Sequence, residues 1–400
     1  MPAGWRFIAA RALSDEILDW EVPFALTGNP RRDLSGPGSM AGTIEPEYAR
    51  MIGADRQPIL QEWNTKLYLE IDGHIRWGGI VTKTGYDGAK AMIQAEGFSS
   101  YPHGIPFESH VISGALITPK DPYAGKDKNH DGWVDGKKGE QKVPPPPKPY
   151  GGPRIDVYDG FRTIWSHVQT RPKGDIGIKV DTHDLGELLG AKDGSDPWEL
   201  AWWNNPDCGQ ALDQLTRDTP FDWIETHAWA GGGNAIDHRI RLGKPRLGRK
   251  RGDLRFADGE NISAIAKPEG MGEEYANEII VLGKGEGRKM ARAQAHRYDV
   301  TRLRRVHVVT DKTLSSAKAM VTRANRELAG RTQALQIPAI QIRDHLNARF
   351  GSWQLGDDIR VQVHVPWVGD VDVWHRIISD EISADGNCVL TLRRSDSFVY

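Results

Sequence analysis

Two stretches of period-two alternation, each turning back on itself at an Asp-Gly pair, lie at opposite ends of this 400-residue chain. Near the start, Leu67, Leu69 and Ile71 alternate with polar residues, Asp72-Gly73 follows, and the return strand runs through Ile75 to Val81. Successive strand side chains point to opposite faces, so this pattern predicts a half-buried strand. Asp-Gly supplies the positive φ values that a two-residue hairpin turn needs. Tyr86-Asp87-Gly88 then leads to a third strand, Ala91 to Phe98. Near the end, Ile359, Val361, Val363 and Val365 alternate, followed by a strand through Trp374 to Ile378, a turn at Ala384-Asp385-Gly386 and a closing strand over Val389 to Leu392. Aligning Trp77 with Trp374 superposes the aliphatic pairs Ile80-Val81 and Ile377-Ile378. The chain therefore reads as carrying one β-meander twice.

Composition sets the outer limits. Fourteen Trp, 44 Gly and 24 Pro point to a turn-rich β-protein with large aromatic anchors. A formal net charge of -2 provides no global field for nucleic acid. No apolar run approaches the roughly 18 residues that span a bilayer. The start, Met1 to Phe7, lacks the pattern of a signal peptide, which places folding in a cytoplasm. Cys208 and Cys388 stand far apart, as buried small hydrophobes do, and a disulfide scaffold is excluded.

Between the two ends the texture changes. Pro119 to Pro153 is polar and breaker-rich and contains Pro144 to Pro147, an extended, stiff run that reads as a linker or exposed arm. Asp159 is placed to cap a helix with Phe161, Ile164, Trp165 and Val168 on one face, and Asp207 a second with Ala211, Leu212 and Leu215. Thr219-Pro220 has the form of a further helix start. A basic hairpin is expected from His238 to Arg255. Glu278 to Leu282 and Val306 to Val309 read as strands. Leu314, Ala317, Val321, Ala324 and Leu328 mark a helix capped near Asp311 or Thr313 and stopped by Gly330.

These stretches together resemble the tail hub or minor tail proteins of long-tailed phages that infect actinobacteria, which are related to the baseplate hub of contractile-tailed phages. The resemblance is carried by Trp77-Gly78-Gly79-Ile80-Val81, Ile155-Asp156-Val157-Tyr158-Asp159 up to Trp165, Asp222-Trp223, and Leu355-Gly356-Asp357-Asp358-Ile359. It implies a β-rich α+β fold with two tail-tube-like β-barrel domains separated by an α/β insertion region. The expected divisions are a first hub β-barrel over 1–110, a proline-rich arm over 111–153, an α+β insertion over 154–270 and a second hub β-barrel over 271–400. It further implies a homotrimer whose six barrels close the tail tube and adapt sixfold to threefold symmetry. The implied partners are the distal tail protein or tube-end ring, the tape measure protein, and other minor tail proteins or a central fibre, at the virion tail tip. Membrane insertion and specific nucleic-acid binding are not expected.

The sharpest local motif is Asp127-Lys128-Asn129-His130-Asp131-Gly132-Trp133-Val134-Asp135. Asp127, Asn129 and Asp131 occupy positions 1, 3 and 5 of an EF-hand-type loop, Gly132 the sharp turn, the Trp133 carbonyl position 7 and Asp135 position 9. Lys138 replaces the bidentate Glu of position 12, with Glu140 two residues beyond. The loop reads either as a Ca²⁺ site or as an Asx-rich turn. The basic run Arg239 to Arg251 reads as a solvated or subunit-contacting hairpin in preference to a DNA contact. Gly283 to Gly287 fails both phosphate-loop patterns and reads as a turn. Trp198, Trp202 and Trp203 form a core or interface cluster, or a sugar platform. No motif for nucleophilic or zinc catalysis is present, so no enzyme is expected. The alternatives are a cell-wall glycan hydrolase using residues 154–230 and a carbohydrate-binding tail module. If calcium stiffens the arm, Asp131→Ala removes the bound ion and lowers thermal stability. Unchanged ion content by elemental analysis contradicts this.

Overall fold

A computed structural model describes residues 4–121, 123–126, 128, 134, 142–143, 145–231, 233–265, 275–312, 314–332, 337–366, 369–395 and 398. The protein is β-rich, and its described residues form four hydrophobic cores.

In the N-terminal part, β1 (Trp5–Arg11), β2 (Arg31–Asp33), β3 (Gly36–Ile44), β4 (Thr65–Ile71), β5 (His74–Asp87) and β6 (Lys90–Glu96) pair in the order β2-β3-β6-β5-β4-β1. Asp72 and Gly73 both adopt positive φ, as the hairpin reading requires. The middle region supplies α1 (Val157–Thr170), α2 (Cys208–Asp218), β7 (Trp223–Trp229) and β8 (Ile236–Leu242). A small unit follows with β9 (Glu278–Leu282), β10 (Arg292–His296), β11 (Val306–Thr310) and α3 (Ala317–Arg331). The C-terminal strands are β12 (Ala339–Arg343), β13 (Asp358–Val365), β14 (Gly369–Ile382) and β15 (Asn387–Arg394).

The β4-β5-β6-β3 ladder of the first part has a counterpart in β13-β14-β15-β12: the same antiparallel neighbours in the same order. Among the described residues the two ladders are not separate closed rings. They join through β2, which pairs with β3 on one side and β14 on the other, giving one continuous 14-stranded sheet. The end strands of the second ladder, Phe256–Ala257 and Ile262–Ile265, meet at the single bridge Asp258–Ile262.

The two meanders correspond with a one-residue correction. β5 and β14 each span 14 residues and each carries a bulge opposite its third strand, at Thr82 and at Ile378. Matching the bulges aligns Trp77 with Val373, not with Trp374. A one-residue slip exchanges the faces of a strand. Trp77 accordingly points into the first core at 2% exposure and donates through Nε1 to the Arg31 carbonyl at 3.0 Å. Trp374 is half-buried on the opposite face, 5.3 Å beneath the Lys250 ammonium. Tryptophan was a misleading anchor because both faces of these strands are covered.

Helix α1 starts at Asp156, not Asp159, because the Asp156 carboxylate accepts the Tyr158 N–H at 2.8 Å and also the N–H groups of Leu185 and Gly186. Asp207 caps α2 as expected. Thr219-Pro220 starts no helix: Thr219 ends α2, and Phe221 packs edge-on against Tyr158 as the chain enters β7. The basic hairpin is also different. β8 pairs with β7 and with the parallel Ile178–Val180, and residues 243–251 leave the sheet to pack on β13. α3 begins after Ser316, and Leu314 remains in its core from outside the helix. No described helix is long and apolar enough to cross a membrane.

The register assignment predicts unequal losses. Trp77→Ala empties a fully packed site and lowers stability by about 3–5 kcal/mol, whereas Trp374→Ala costs about 1 kcal/mol as a partly solvated side chain. Equal shifts of the unfolding midpoints contradict the assignment.

Candidate functional site

The feature that ties the regions together begins with the supposedly solvated face of β4. Lys66, Tyr68 and Glu70 alternate with the core residues Leu67 and Leu69, yet Lys66 and Tyr68 are as buried as their neighbours. The middle region lies on this outer face: Ile8, Tyr68, Ile75 and Ile80 share a core with Phe161, Trp165, Trp223 and Ile240. Gly78 makes the close approach possible, since a Cβ there would fall 2.8 Å from the Tyr68 ring and 3.1 Å from that of His227.

Most polar groups within this layer are paired. Lys66 Nζ binds the Asp15 carboxylate and donates to the Ile176 carbonyl at 2.9 Å. Tyr68 Oη and His238 Nε2 are 3.0 Å apart, and the two rings stack at 5.5 Å. Glu225 accepts the backbone N–H groups of Phe98 and Ser99 at 2.8 and 2.9 Å. His227 lies 3.9 Å from Glu225, and its Nδ1 has no hydrogen-bond partner among the described residues. Burial is the main force on these groups. It holds His227 well below the ordinary imidazole range, with the charges of His238, Arg32 and Lys66 acting in the same sense. It lowers His238 as well, against the pull of Asp15, and raises Glu225.

A second cluster joins the middle region to the C-terminal ladder. Arg376, on the outer face of β14, is fully buried and binds Asp222. It also donates to the carbonyls of Gly356 at 3.1 Å and Leu247 at 2.8 Å, and Asp222 accepts the Leu247 N–H at 2.8 Å. Desolvation raises the Asp222 carboxyl and the guanidinium opposes that rise. Arg251 bonds Asp357 at 3.1 Å, and Arg246 lies against Asp358, so part of the basic run is consumed internally. Between the clusters runs the 31–36 segment. Arg32 donates to Asp380 at 2.9 Å, the Leu34 N–H to the Ile378 carbonyl at 2.8 Å and the Ser35 N–H to the Trp223 carbonyl at 2.8 Å. Three parts of the chain meet on six residues.

The residues singled out for calcium, Asp127, Asn129, Asp131, Trp133 and Asp135, lie outside the described residues, as do Lys138 and Glu140. Among the described residues no group of three His, Cys, Asp or Glu side chains is placed to hold a metal. Trp198 packs on the middle core, whereas Trp202 and Trp203 are exposed on a 3-10 turn, with Trp203 4.8 Å from the His110 ring. An open cleft of ≈ 470 Å³ lies beside them on α1, bounded by His110, Asp159, Arg162 and His167. Its charged groups are engaged: Arg162 binds Asp159 at 2.7 Å, and His167 Nε2 accepts the Glu108 N–H at 3.1 Å. Gly283 to Gly287 forms the turn between β9 and β10. Local pattern does not reveal these clusters, because the alternation of Lys66, Tyr68 and Glu70 with Leu67 and Leu69 is also that of a strand with one solvated face. The available signal is Glu225, His227 and His238 within the apolar strands that cover β4, and Asp222 immediately before the first of them.

No protein-family model matches the chain, and no curated protein matches its sequence. Solved structures do. The 43 kDa tail protein of prophage MuSo2 from Shewanella oneidensis superposes with a TM-score of 0.54 at 13% identity, covering 98% of this chain and 99% of that one. Prophage tail protein gp18 from Listeria monocytogenes gives 0.52 at 11%, with 98% and 95% covered. A tail protein from Neisseria meningitidis gives 0.50 at 10%, with 98% and 97% covered. The chain shares the fold of these phage tail proteins from end to end.

Removing one member of the Asp222–Arg376 pair leaves the other buried and unpaired, so Arg376→Met costs about 3–5 kcal/mol. Adding Asp222→Leu recovers part of that loss; a double variant no more stable than the single contradicts the pairing. The histidines set a pH dependence. His227 and His238 bind protons more weakly folded than unfolded, so stability falls as pH drops below about 6.5, the ordinary imidazole value. The raised Glu225 works the other way, losing its penalty on acidification. Melting temperature measured from pH 7 to 5 falls less steeply in His227→Gln than in the wild type, and equal slopes contradict the assignment.

Proposed function

We propose that this chain is a structural subunit of a phage tail, a trimeric hub of the kind carried by long-tailed actinobacteriophages, seated at the tail tip. The observation that carries the reading is the end-to-end match to phage tail proteins together with a strand ladder repeated within one chain. Two similar ladders per chain give six around a threefold axis, which fits a sixfold tube above and a threefold tip below. In this reading each ladder is one tail-tube-like domain, the second taking in Phe256–Ala257 and Ile262–Ile265, with the middle region ahead of them inserted between the two and covering the outer faces of β4–β5 and β14. Such a subunit closes the tube until adsorption and contacts a tube-end ring, the tape measure protein and a fibre or other minor tail proteins. Its work is shape and assembly, not turnover.

We also propose that residues 127–135 bind a calcium ion that stiffens the arm.

Light scattering tests the stoichiometry. The expected mass is three 44.5 kDa chains. A monomer at every concentration that releases sugars from host cell walls contradicts the reading.

A further inference from the structure

We propose that the small basic unit of one copy docks head to tail on the acidic strand edge of a neighbouring copy. This rests on the ring reading above and names its contact surfaces.

Residues 275–332 carry thirteen Lys/Arg and five Asp/Glu, a formal +8 in a chain of -2, so the remaining residues sum to -10. Arg288, Lys289, Arg292, Arg297 and Arg305 are exposed and form no ion pair among the described residues. Beside them stands an unfinished sheet. Among the described residues β11 pairs with β9 on one side only, and α3 packs across β9 and β10. Val306 and Val308 are therefore exposed, and the preceding loop adds Val300, wholly solvated, and Leu303 at 85%.

An uncovered edge strand is a template for another strand, and apolar side chains beside it add area to such a contact. Phosphates would use the cations but neither the valines nor the open backbone edge. A β-edge bearing carboxylates uses all three.

This chain has one. Residues 12–30 contain Asp15, Glu16, Asp19 and Glu21 and no Lys or Arg. They include Ile17–Asp19, which ends the long strand order and pairs only with β1 among the described residues. Asp15 and Asp19 are held internally by Lys66 and Tyr48, which leaves Glu16 and Glu21 exposed, flanked by the exposed Leu13 and Trp20. The basic unit emerges between Ile262–Ile265 and β12, at the other end of that order. Opposite ends of the strand order thus bear opposite charge. A contact between unlike surfaces is heterologous, and it closes into a ring when the rotation permits.

The test is sedimentation of the whole chain with and without charge reversal. Arg302→Glu/Arg305→Glu spares Arg304, which serves Glu278 within the unit. It is expected to reduce a three-chain particle to one chain, and Glu16→Lys/Glu21→Lys to do the same. Combining the four changes restores the particle. Raising salt to 1 M weakens the wild-type particle. Circular dichroism confirms that each variant remains folded. A folded Arg302→Glu/Arg305→Glu variant that stays trimeric overturns this surface while leaving the ring reading in place. A wild-type chain that is monomeric throughout overturns both. Loss of duplex-DNA binding by that variant, with its mass unchanged, assigns the surface to a polyanion instead.

Discussion

Asp222 and Arg376 are the interaction on which the arrangement of this protein rests. The pair joins two segments 154 residues apart, and Arg376 has no solvent contact. Charges taken out of water gain little net stability from each other, because desolvation offsets most of their attraction. What such a pair fixes is position. A guanidinium that must also satisfy the Leu247 and Gly356 carbonyls tolerates one placement of the 244–251 loop against β14. The 31–36 segment adds Arg32–Asp380 and main-chain bonds to β14 and β7, locking the N-terminal ladder to the same point.

The two ladders meet the middle region by different chemistry at equivalent positions. With the bulges aligned, Ile80 of β5 corresponds to Arg376 of β14. Ile80 contributes to an apolar contact with the middle region and Arg376 to an ionic one. Apolar packing accepts small slips, whereas the ion pair does not. One insertion covering both ladders is thereby held in a single orientation.

Much of the β-organisation was legible because alternation and Asp-Gly turns are local. Thr65 to Glu96 and Asp358 to Arg394 fold as their patterns indicate. What local patterns could not convey was coverage of a second face. Lys66 and Tyr68 look solvated until Tyr68 is placed beside His238, 170 residues away. The same blindness misaligned Trp77 and Trp374, which differ in face by one residue. The basic run hides its pairing for a related reason: Arg246 meets Asp358, and Arg251 meets Asp357 in addition to the local Asp253, with Asp357 and Asp358 more than 100 residues downstream. The open strand edge of the unit over 275–332 is likewise invisible to local pattern, because it depends on which strand pairs with Val306–Thr310.

In the proposed arrangement three copies of this chain form the closed end of a tail tube, and imaging the tail tip of intact virions tests it most directly. The expected image is a threefold ring at the end of the tube, with two ladder-bearing lobes per chain and the whole chain fitted as one body. Density for a single copy, or for this chain on the side of the tube away from its end, would contradict it.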